Sequence, residues 1–273
     1  MGLELATRGL GFVYPDGTRA LTAVDLAIPA DQRVAIVGQN GSGKSTLVRH
    51  FNGLLRATEG SVLVGGEEVG RRHVAELARL VGISFQNPDR QIFAARVSAE
   101  VAFGARNLGL PRAEVERRVT AALATVGLSQ LAEAHPYDLG FSQRKLVALA
   151  SILVMETPVV VLDEPTTGQD LRGVERVGEI VASLKGERRT VVAVTHDMRF
   201  AAESFERVVV MREGRIVLDG APADVFGERN WPVLKSTNLE PPFAAQIGAR
   251  LGLGSTPTET SVVAALASRG ASG

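Results

Sequence analysis

Hydrophobic positions along the chain follow strand and helix spacings in alternation. Near the N-terminus, Val24, Leu26 and Ile28 alternate with less apolar residues, which is the spacing of a half-buried strand. Short apolar runs then recur at residues 33–37, 81–85, 159–162 and 190–194, each followed by polar residues and a helical pattern. Since strands buried on both faces are continuous apolar runs, these runs predict an α/β fold with a parallel sheet covered on both sides.

The strand pattern stops at residues 97–134. Val115 and Val119 recur there at helical spacing. We expect Pro111 to be the first residue of that helix, because the N–H groups of a first helical turn have no partner within the helix and proline has no N–H to leave unpaired. The sequence therefore predicts a helical subdomain, inserted into the sheet domain at about residues 90–155.

The C-terminal part of the pattern is weaker. Residues 211–217 predict two short strands about a turn at Glu213 and Gly214. Beyond Gly227 we predict short helices at residues 243–251 and 262–269, followed by a disordered tail at residues 270–273. The predicted domains are residues 1–227 and a C-terminal extension at residues 228–273.

Composition excludes several kinds of protein. The chain has 273 residues with 30 basic and 30 acidic side chains, so the formal charge of zero gives no indication of a nucleic-acid partner. It has no cysteine and therefore no disulfide framework. Glu156 and Pro158 interrupt the longest apolar stretch, and no signal-peptide core is visible. If the protein works at a membrane, we expect another chain to supply the spans.

A glycine-rich loop follows the run at residues 33–37. It matches the pattern G-x-x-x-x-G-K-[ST], which binds nucleotide phosphates between a strand and a helix. Backbone N–H groups and the positive helix end hold phosphate oxygens, the lysine reaches the β- and γ-phosphates, and the serine binds Mg²⁺. The alternative, a chance glycine turn, lacks this strand and helix context. The predicted ATP contacts are Gly38, Asn40, Gly41, Ser42, Gly43, Lys44, Ser45 and Thr46.

Polar side chains follow the other buried runs. Asp163 and Glu164 come after residues 159–162, where we expect Asp163 to bind Mg²⁺ and Glu164 to act as general base. His196 follows the next run and is expected at the γ-phosphate, and Gln86 follows residues 81–85 and is expected to reach Mg²⁺ or water. The alternatives are that Asp163 and Glu164 are solvated acids at a strand end and that His196 is a structural residue. The histidines at 50, 73 and 135 are interpreted as packing or surface residues.

Taken in order, these motifs resemble an ATP-binding-cassette (ABC) ATPase over about residues 3–226. The set comprises Tyr14, the glycine-rich loop, Gln86, a signature-like segment at residues 139–143, Asp163 with Glu164, a loop at residues 167–170 and His196. The resemblance implies a P-loop NTPase fold: a parallel-sheet core, an N-terminal antiparallel β subdomain and the inserted helical subdomain.

Residues 85–93 and 100–109 narrow the resemblance to the ATPases of energy-coupling factor transporters, which import vitamins and transition-metal ions. In that family, the first of these stretches lies in the groove that receives the transmembrane coupling subunit. A substrate-specific membrane subunit takes part indirectly. The resemblance places the chain peripherally at the cytoplasmic face of the membrane. The alternative is the ATPase of a conventional ABC transporter with a separate substrate-binding protein.

The resemblance also implies a dimer with a second ATPase subunit, in which two ATP molecules are sandwiched. Tyr14 would stack on adenine, and Lys44, Glu164 and His196 would act at the γ-phosphate, with Mg²⁺ held by Ser45, Gln86 and Asp163. The opposite subunit would contribute the signature. The further nucleotide contacts implied are Leu139, Gly140, Ser142, Gln143 and Asp170.

The signature departs from the family's Leu-Ser-Gly-Gly-Gln. Gly140 replaces the serine, and Phe141 adds bulk where a glycine lets the backbone approach phosphate. Ser142 offers partial compensation at the start of a helix predicted from Arg144. A heterodimer would then have one weak site, whereas a homodimer would carry the altered signature twice; the sequence leaves both open.

Other classes with a phosphate loop fit less well. A DNA-repair ATPase of this family needs a long coiled coil before the signature, but only about 95 residues separate Lys44 from Leu139. A translation factor of the family carries two cassettes in one chain. A metabolic kinase lacks the signature and the residues equivalent to Gln86 and His196.

Overall fold

The computed structural model describes residues 1–270, which form two sheets and surrounding helices. The strands are β1 (Leu5–Val13), β2 (Arg19–Ile28), β3 (Arg33–Val37), β4 (Glu59–Val64), β5 (Glu67–Glu68), β6 (Val81–Ser84), β7 (Val159–Asp163), β8 (Thr190–Thr195), β9 (Arg207–Arg212) and β10 (Arg215–Gly220). The helices are α1 (Lys44–Phe51), α2 (Val74–Leu77), α3 (Val97–Asn107), α4 (Arg112–Thr125), α5 (Phe141–Leu153), α6 (Leu171–Gly186), α7 (Met198–Ser204), α8 (Pro222–Val225), α9 (Trp231–Ser236), α10 (Phe243–Arg250) and α11 (Glu259–Gly270).

The larger sheet has the strand order β10-β9-β3-β8-β7-β6. Its strands are parallel except β10, which pairs antiparallel with β9 around the predicted turn. Alternate residues of each central strand enter different cores. Val160 and Leu162 of β7 pack in the core that contains α3 to α7, whereas Val159 and Val161 pack in the core that contains α1 and the smaller sheet. The predicted parallel sheet covered on both faces is confirmed.

The smaller sheet is antiparallel and has the order β2-β1-β4-β5. Its inward residues, among them Leu10, Leu21 and Val62, share a core with Leu47 and Phe51 of α1. This packing fixes the N-terminal strands beside the helix that follows the glycine-rich loop. The N-terminal antiparallel subdomain is thus confirmed as part of the fold.

Helices α3, α4 and α5 lie between β6 and β7 and pack on one another. These three helices form the helical insertion that the sequence predicts. Two of them begin at residues other than the predicted ones. Pro111 caps α4 instead of forming its first residue, because its ψ of 149° is extended. Helix α5 begins at Phe141 instead of Arg144, with Gly140 as its cap, so Ser142 lies within the first turn.

The C-terminal segment packs against the sheet domain. Phe226, Leu234 and Leu239 are buried in the core that contains α3 to α7. The two predicted terminal helices are present as α10 and α11, but α11 extends through Gly270, which had been predicted to be disordered. The rest of that prediction, residues 271–273, lies outside the described residues. The division at 227/228 remains a prediction.

Across residues 1–270, none of the helices has the length and apolar character needed to cross a lipid bilayer.

His50 on α1 is a buried histidine, only 1% exposed. Its ring packs edge-on against Phe12, and Nδ1 lies 2.8 Å from the carbonyl oxygen of Thr46. If Nδ1–H donates to that carbonyl, Nε2 carries the lone pair, and Nε2 is buried without a hydrogen-bond partner among the described residues. Burial lowers the pKa of His50, and the hydrogen bond to Thr46 opposes that shift. The interpretation of this residue as a packing histidine is confirmed.

We predict that the free energy of unfolding falls as the pH drops below about 6.5, the pKa of an unfolded histidine, because the unfolded chain then binds a proton that folded His50 resists. His50→Gln should remove this part of the pH dependence, which urea denaturation at several pH values measures. His73→Gln, at an exposed histidine, is the control and should leave the dependence unchanged. The same pH dependence in the wild type and in His50→Gln would contradict the prediction.

Candidate nucleotide site

The glycine-rich loop joins β3 to α1 and leaves no room for side chains at two of its glycines. A Cβ at Gly38 would lie 2.4 Å from the carbonyl oxygen of Met211, and one at Gly43 would lie 2.7 Å from that of Ala20. Gly43 also has φ 97° and caps α1. Both positions therefore require glycine, and the loop leads directly into the N-terminal end of α1, where an anion would be stabilised.

Lys44 lies inside this loop. Its Nζ donates to the carbonyl oxygens of Gly38 and Gln39, at 2.7 and 2.9 Å. Burial lowers the pKa of Lys44, whereas the charges of Glu164 and Asp163 act in the opposite direction. The Ser42 hydroxyl is also buried and has no hydrogen-bond partner within residues 1–270. The loop thus holds a desolvated cation and an unsatisfied hydroxyl, both suited to phosphate oxygens.

Asp163 ends β7 and is 1% exposed. Its Oδ1 accepts a hydrogen bond from Ser45 Oγ at 3.0 Å, and Arg49 lies 4.0 Å from Oδ2. Oδ2 is buried and has no hydrogen-bond partner among the residues described. Burial raises the pKa of Asp163, and the Ser45 and Arg49 contacts oppose that shift. The structure therefore brings together two of the three predicted Mg²⁺ ligands and leaves one carboxylate oxygen unused.

Glu164 and His196 form a pair at neighbouring strand ends. Strands β7 and β8 are adjacent, and the Glu164 N–H donates to Val194 O at 2.8 Å. Glu164 Oε2 lies 2.7 Å from Nδ1 of His196, and the Thr167 hydroxyl donates to the same oxygen at 3.3 Å. The Glu164 side chain is 6% exposed and that of His196 is 58% exposed. A buried carboxylate is thus oriented by an imidazole that faces solvent.

One hollow collects most of the predicted nucleotide contacts. Tyr14 lies in it, with its hydroxyl 2.9 Å from that of Thr46 and its ring edge-on to Phe12 at 4.8 Å. Gln86 is exposed at its rim. The hollow is lined by Tyr14, Thr18, Arg19, Ala20, Asn40, Gly41, Ser42, Gly43, Lys44, Ser45, Thr46, Gln86 and Glu164.

The signature-like segment lies elsewhere. Within the described chain, the lining of that hollow includes neither residues 139–143 nor Asp170. Leu139 is buried, Gly140 caps α5, and Gln143 Oε1 accepts a hydrogen bond from the Gly140 N–H at 3.3 Å. Ser142 is hydrogen-bonded to Gln169. Asp170 caps α6 by accepting from the Gly173 N–H at 2.8 Å.

Two residues near the site were missed by the sequence analysis. Lys145 is buried and donates to backbone carbonyls of Glu164 and Thr167. Its one signal is a charged side chain, next to Arg144, at the front of the apolar run of α5. Asn238 donates to Gln39 Oε1 at 2.7 Å, 199 residues away in the chain, and no local pattern indicates such a contact.

Comparisons with known proteins agree with this geometry. Residues 21–167 match the family model described as ABC transporter. The chain is 40% identical over 243 residues to the energy-coupling factor transporter ATP-binding protein EcfA of Methanocaldococcus jannaschii. The matched region covers 88% of this chain and 86% of that protein.

Solved structures have the same fold. CbiO1 from Clostridium perfringens, part of the ABC transporter complex CbiONQ, superimposes with a TM-score of 0.76 at 37% identity over 91% of this chain and 98% of that one. A dimeric ATP-binding cassette in a post-hydrolysis state, bound to ADP and Pi, gives a TM-score of 0.74 at 25% identity over 80% of this chain and 98% of that one. The chain therefore belongs to the ABC transporter family and is an ATP-binding, ATP-hydrolysing ABC-type ATPase.

Proposed function

We propose that this chain is the ATPase subunit of an energy-coupling factor importer and hydrolyses Mg-ATP to drive uptake of a vitamin or a transition-metal ion. The observation that carries the chemistry is the Glu164–His196 pair beside the glycine-rich loop, with Oε2 and Nδ1 2.7 Å apart. The similarity to EcfA supports the type of transporter.

The donor set at the end of β7 fits Mg²⁺. The Ser45 hydroxyl donates to Asp163 Oδ1, and Asp163 Oδ2 has no hydrogen-bond partner in the described part of the chain, with Arg49 4.0 Å away. Oxygen ligands of this kind suit a hard cation that keeps several waters. In this proposal Ser45, Asp163 and the Gln86 amide oxygen hold the ion, directly or through water. When bound, Mg²⁺ supplies neutralisation of charge on the phosphate oxygens.

The remaining side chains act on ATP itself. Lys44 exchanges its contacts with Gly38 and Gln39 for the β- and γ-phosphates. Glu164 orients the attacking water and accepts its proton, while His196 holds the Glu164 carboxylate and faces the γ-phosphate. Tyr14 offers its ring to adenine, which requires only an aromatic face. Each group already lies at or beside the hollow.

A second ATPase chain completes the proposed site. The signature-like segment lies outside its own hollow, so another subunit must bring such a segment to the γ-phosphate. We propose a head-to-tail dimer, either of two copies or with a related ATPase, that closes on ATP. Leu139, Gly140, Ser142 and Gln143 would then face the nucleotide of the partner, with Asp170 beside them.

An exposed aromatic pair supports a membrane partner. Phe93 and Phe103 are 63% and 47% exposed and pack edge-on at 4.7 Å. The buried Glu100 carboxylate holds this surface by accepting from the N–H groups of Phe93 and Ala94, at 3.0 and 2.8 Å. Exposed aromatic side chains on a fixed backbone are typical of protein contacts. We propose that the transmembrane coupling subunit binds here at the cytoplasmic face, with a substrate-specific membrane subunit contacting that subunit.

Glu164→Gln should keep ATP binding and slow hydrolysis by about 10²–10⁴, because the amide is a poor proton acceptor while its oxygen can still contact His196. Nucleotide affinity and single-turnover phosphate release measure the two effects. The control is Glu203→Gln, which removes a surface carboxylate paired with Arg199 and should leave turnover unchanged. Near-normal hydrolysis by Glu164→Gln would exclude Glu164 as the base.

Gly140→Ser should raise ATPase activity about tenfold, the effect of one added hydrogen bond to a charged group, if the missing serine limits the site. A Cβ at 140 meets no other atom closer than Gln143 Oε1 at 4.0 Å, so serine fits. Gly186→Ser, where a Cβ meets nothing within 4 Å, is the matched control. Unchanged or lower activity would mean that this segment does not depend on serine at 140.

A tagged chain, purified from detergent-solubilised membranes, should bring down a transmembrane scaffold, a small substrate-specific membrane protein and a second ATPase chain. Mass spectrometry identifies what is captured, and a Phe93→Ala, Phe103→Ala variant should lose the scaffold. Capture of a conventional permease pair would favour the alternative, an ABC transporter with a separate binding protein. Recovery of no membrane protein would contradict the transport proposal.

A further inference from the structure

The residue proposed as the base has an unusual backbone. Glu164 has φ 53°, in the left-handed region that costs a non-glycine residue about 1–2 kcal/mol. Such a conformation persists only where surrounding contacts hold it. The Glu164 N–H is held by Val194 O in the neighbouring strand. Its carbonyl group is held from the other side, by helix α5.

Lys145 supplies that second contact. Its Nζ donates to the carbonyl oxygen of Glu164 and, at 2.9 Å, to that of Thr167. The Thr167 N–H also bonds to the Glu164 carbonyl at 3.3 Å, so the ammonium closes a turn whose two ends it contacts. The Thr167 hydroxyl donates to Glu164 Oε2, and therefore links this turn to the carboxylate itself.

The charge of Lys145 is kept at an energetic cost. The residue is 6% exposed, and its neighbours on α5 from Leu146 to Leu153 are buried and mostly apolar. Burial lowers the pKa of Lys145 to about 8, against the opposing charges of Glu164 and Asp163. Helix packing alone would be served by an apolar side chain of similar length, without desolvating an ammonium. The donors of Lys145 therefore have another purpose.

Other contacts keep the same loop on α5 without Lys145. The ring of Phe141 lies against Gly168, where a Cβ would come within 2.7 Å of it. Ser142 and Gln169 are hydrogen-bonded. Loss of the Lys145 donors should therefore move the Glu164 turn locally while the loop stays attached to the helix.

We infer that Lys145 is a positioning residue for Glu164, which it holds through the carbonyl groups of Glu164 and Thr167 so that the carboxylate points at the attacking water. This inference rests on the proposed role of Glu164 as base. A purely structural role of Lys145 would lower kcat whether or not the Glu164 carboxylate is present. The positioning role instead predicts that the loss of kcat disappears when the Glu164 carboxylate is removed.

The test is a double-mutant cycle of Lys145→Met and Glu164→Gln in the full chain. Lys145→Met keeps length and loses the donors, and should lower kcat about 10²-fold, the loss that a misplacement of roughly 1 Å produces. KM and nucleotide affinity should change little. In the Glu164→Gln background, the same change should give no further loss in single-turnover hydrolysis. Lys145→Arg retains donors and should recover much of kcat.

Ser151→Ala is the matched control on the same helix. It removes another buried polar group, hydrogen-bonded to Ala148 O and Gln91, and should leave kcat unchanged. If Lys145→Met fails to fold, as judged by its melting curve, Lys145→Leu replaces it and likewise has no donor. An unchanged kcat in the folded variant, or an equal loss in both backgrounds, would overturn the inference. Normal turnover of Glu164→Gln alone would instead overturn the proposed base.

Discussion

The hydrogen-bonded register of the parallel strands is the constraint on which the site depends. Asp163 lies opposite Val194 in the β7–β8 pair, so the residues that directly follow the two strands, Glu164 after β7 and His196 after β8, emerge at the same edge. Strand β3 pairs with β8 on its other side and delivers the glycine-rich loop to that edge. Because each strand is buried on both faces, slippage by one residue would exchange the two cores, and packing thus fixes the geometry of the polar groups.

The second constraint is charge taken out of water. Lys44 and Lys145 are buried beside Asp163 and Glu164, so two cations face two anions where solvent is excluded. Burial moves the pKa values of Lys44 and Lys145 down and that of Asp163 up, toward the neutral forms. Their opposite charges limit these shifts. A nucleotide enters a site where the lysines and carboxylates are already desolvated, so little further desolvation is needed when it binds.

Local pattern made the main parts of this site predictable. The apolar runs at residues 159–162 and 190–194 predict the strands that Asp163 and His196 follow, and the spacing of glycines predicts the phosphate loop that contains Lys44. Lys145 and Asn238 were not predictable, since their contacts join residues 19 to 199 positions apart and leave no periodic signal. Helix α5 was predicted three residues late because residues 139–143 were assigned to the signature-like segment and the helix was expected to follow it, whereas Gly140 is in fact its cap.

The altered signature has a structural consequence for the proposed dimer. The Ser142 hydroxyl already bonds Gln169 of its own chain, and Phe141 covers Gly168. To reach a partner's phosphate, Ser142 would have to give up that bond, whereas Lys44 only exchanges backbone carbonyls for phosphate oxygens. Closure would therefore cost one existing hydrogen bond at each copy of this signature. In the proposed dimer, two copies of this chain would incur that cost twice, whereas pairing with an ATPase whose signature is intact would incur it once.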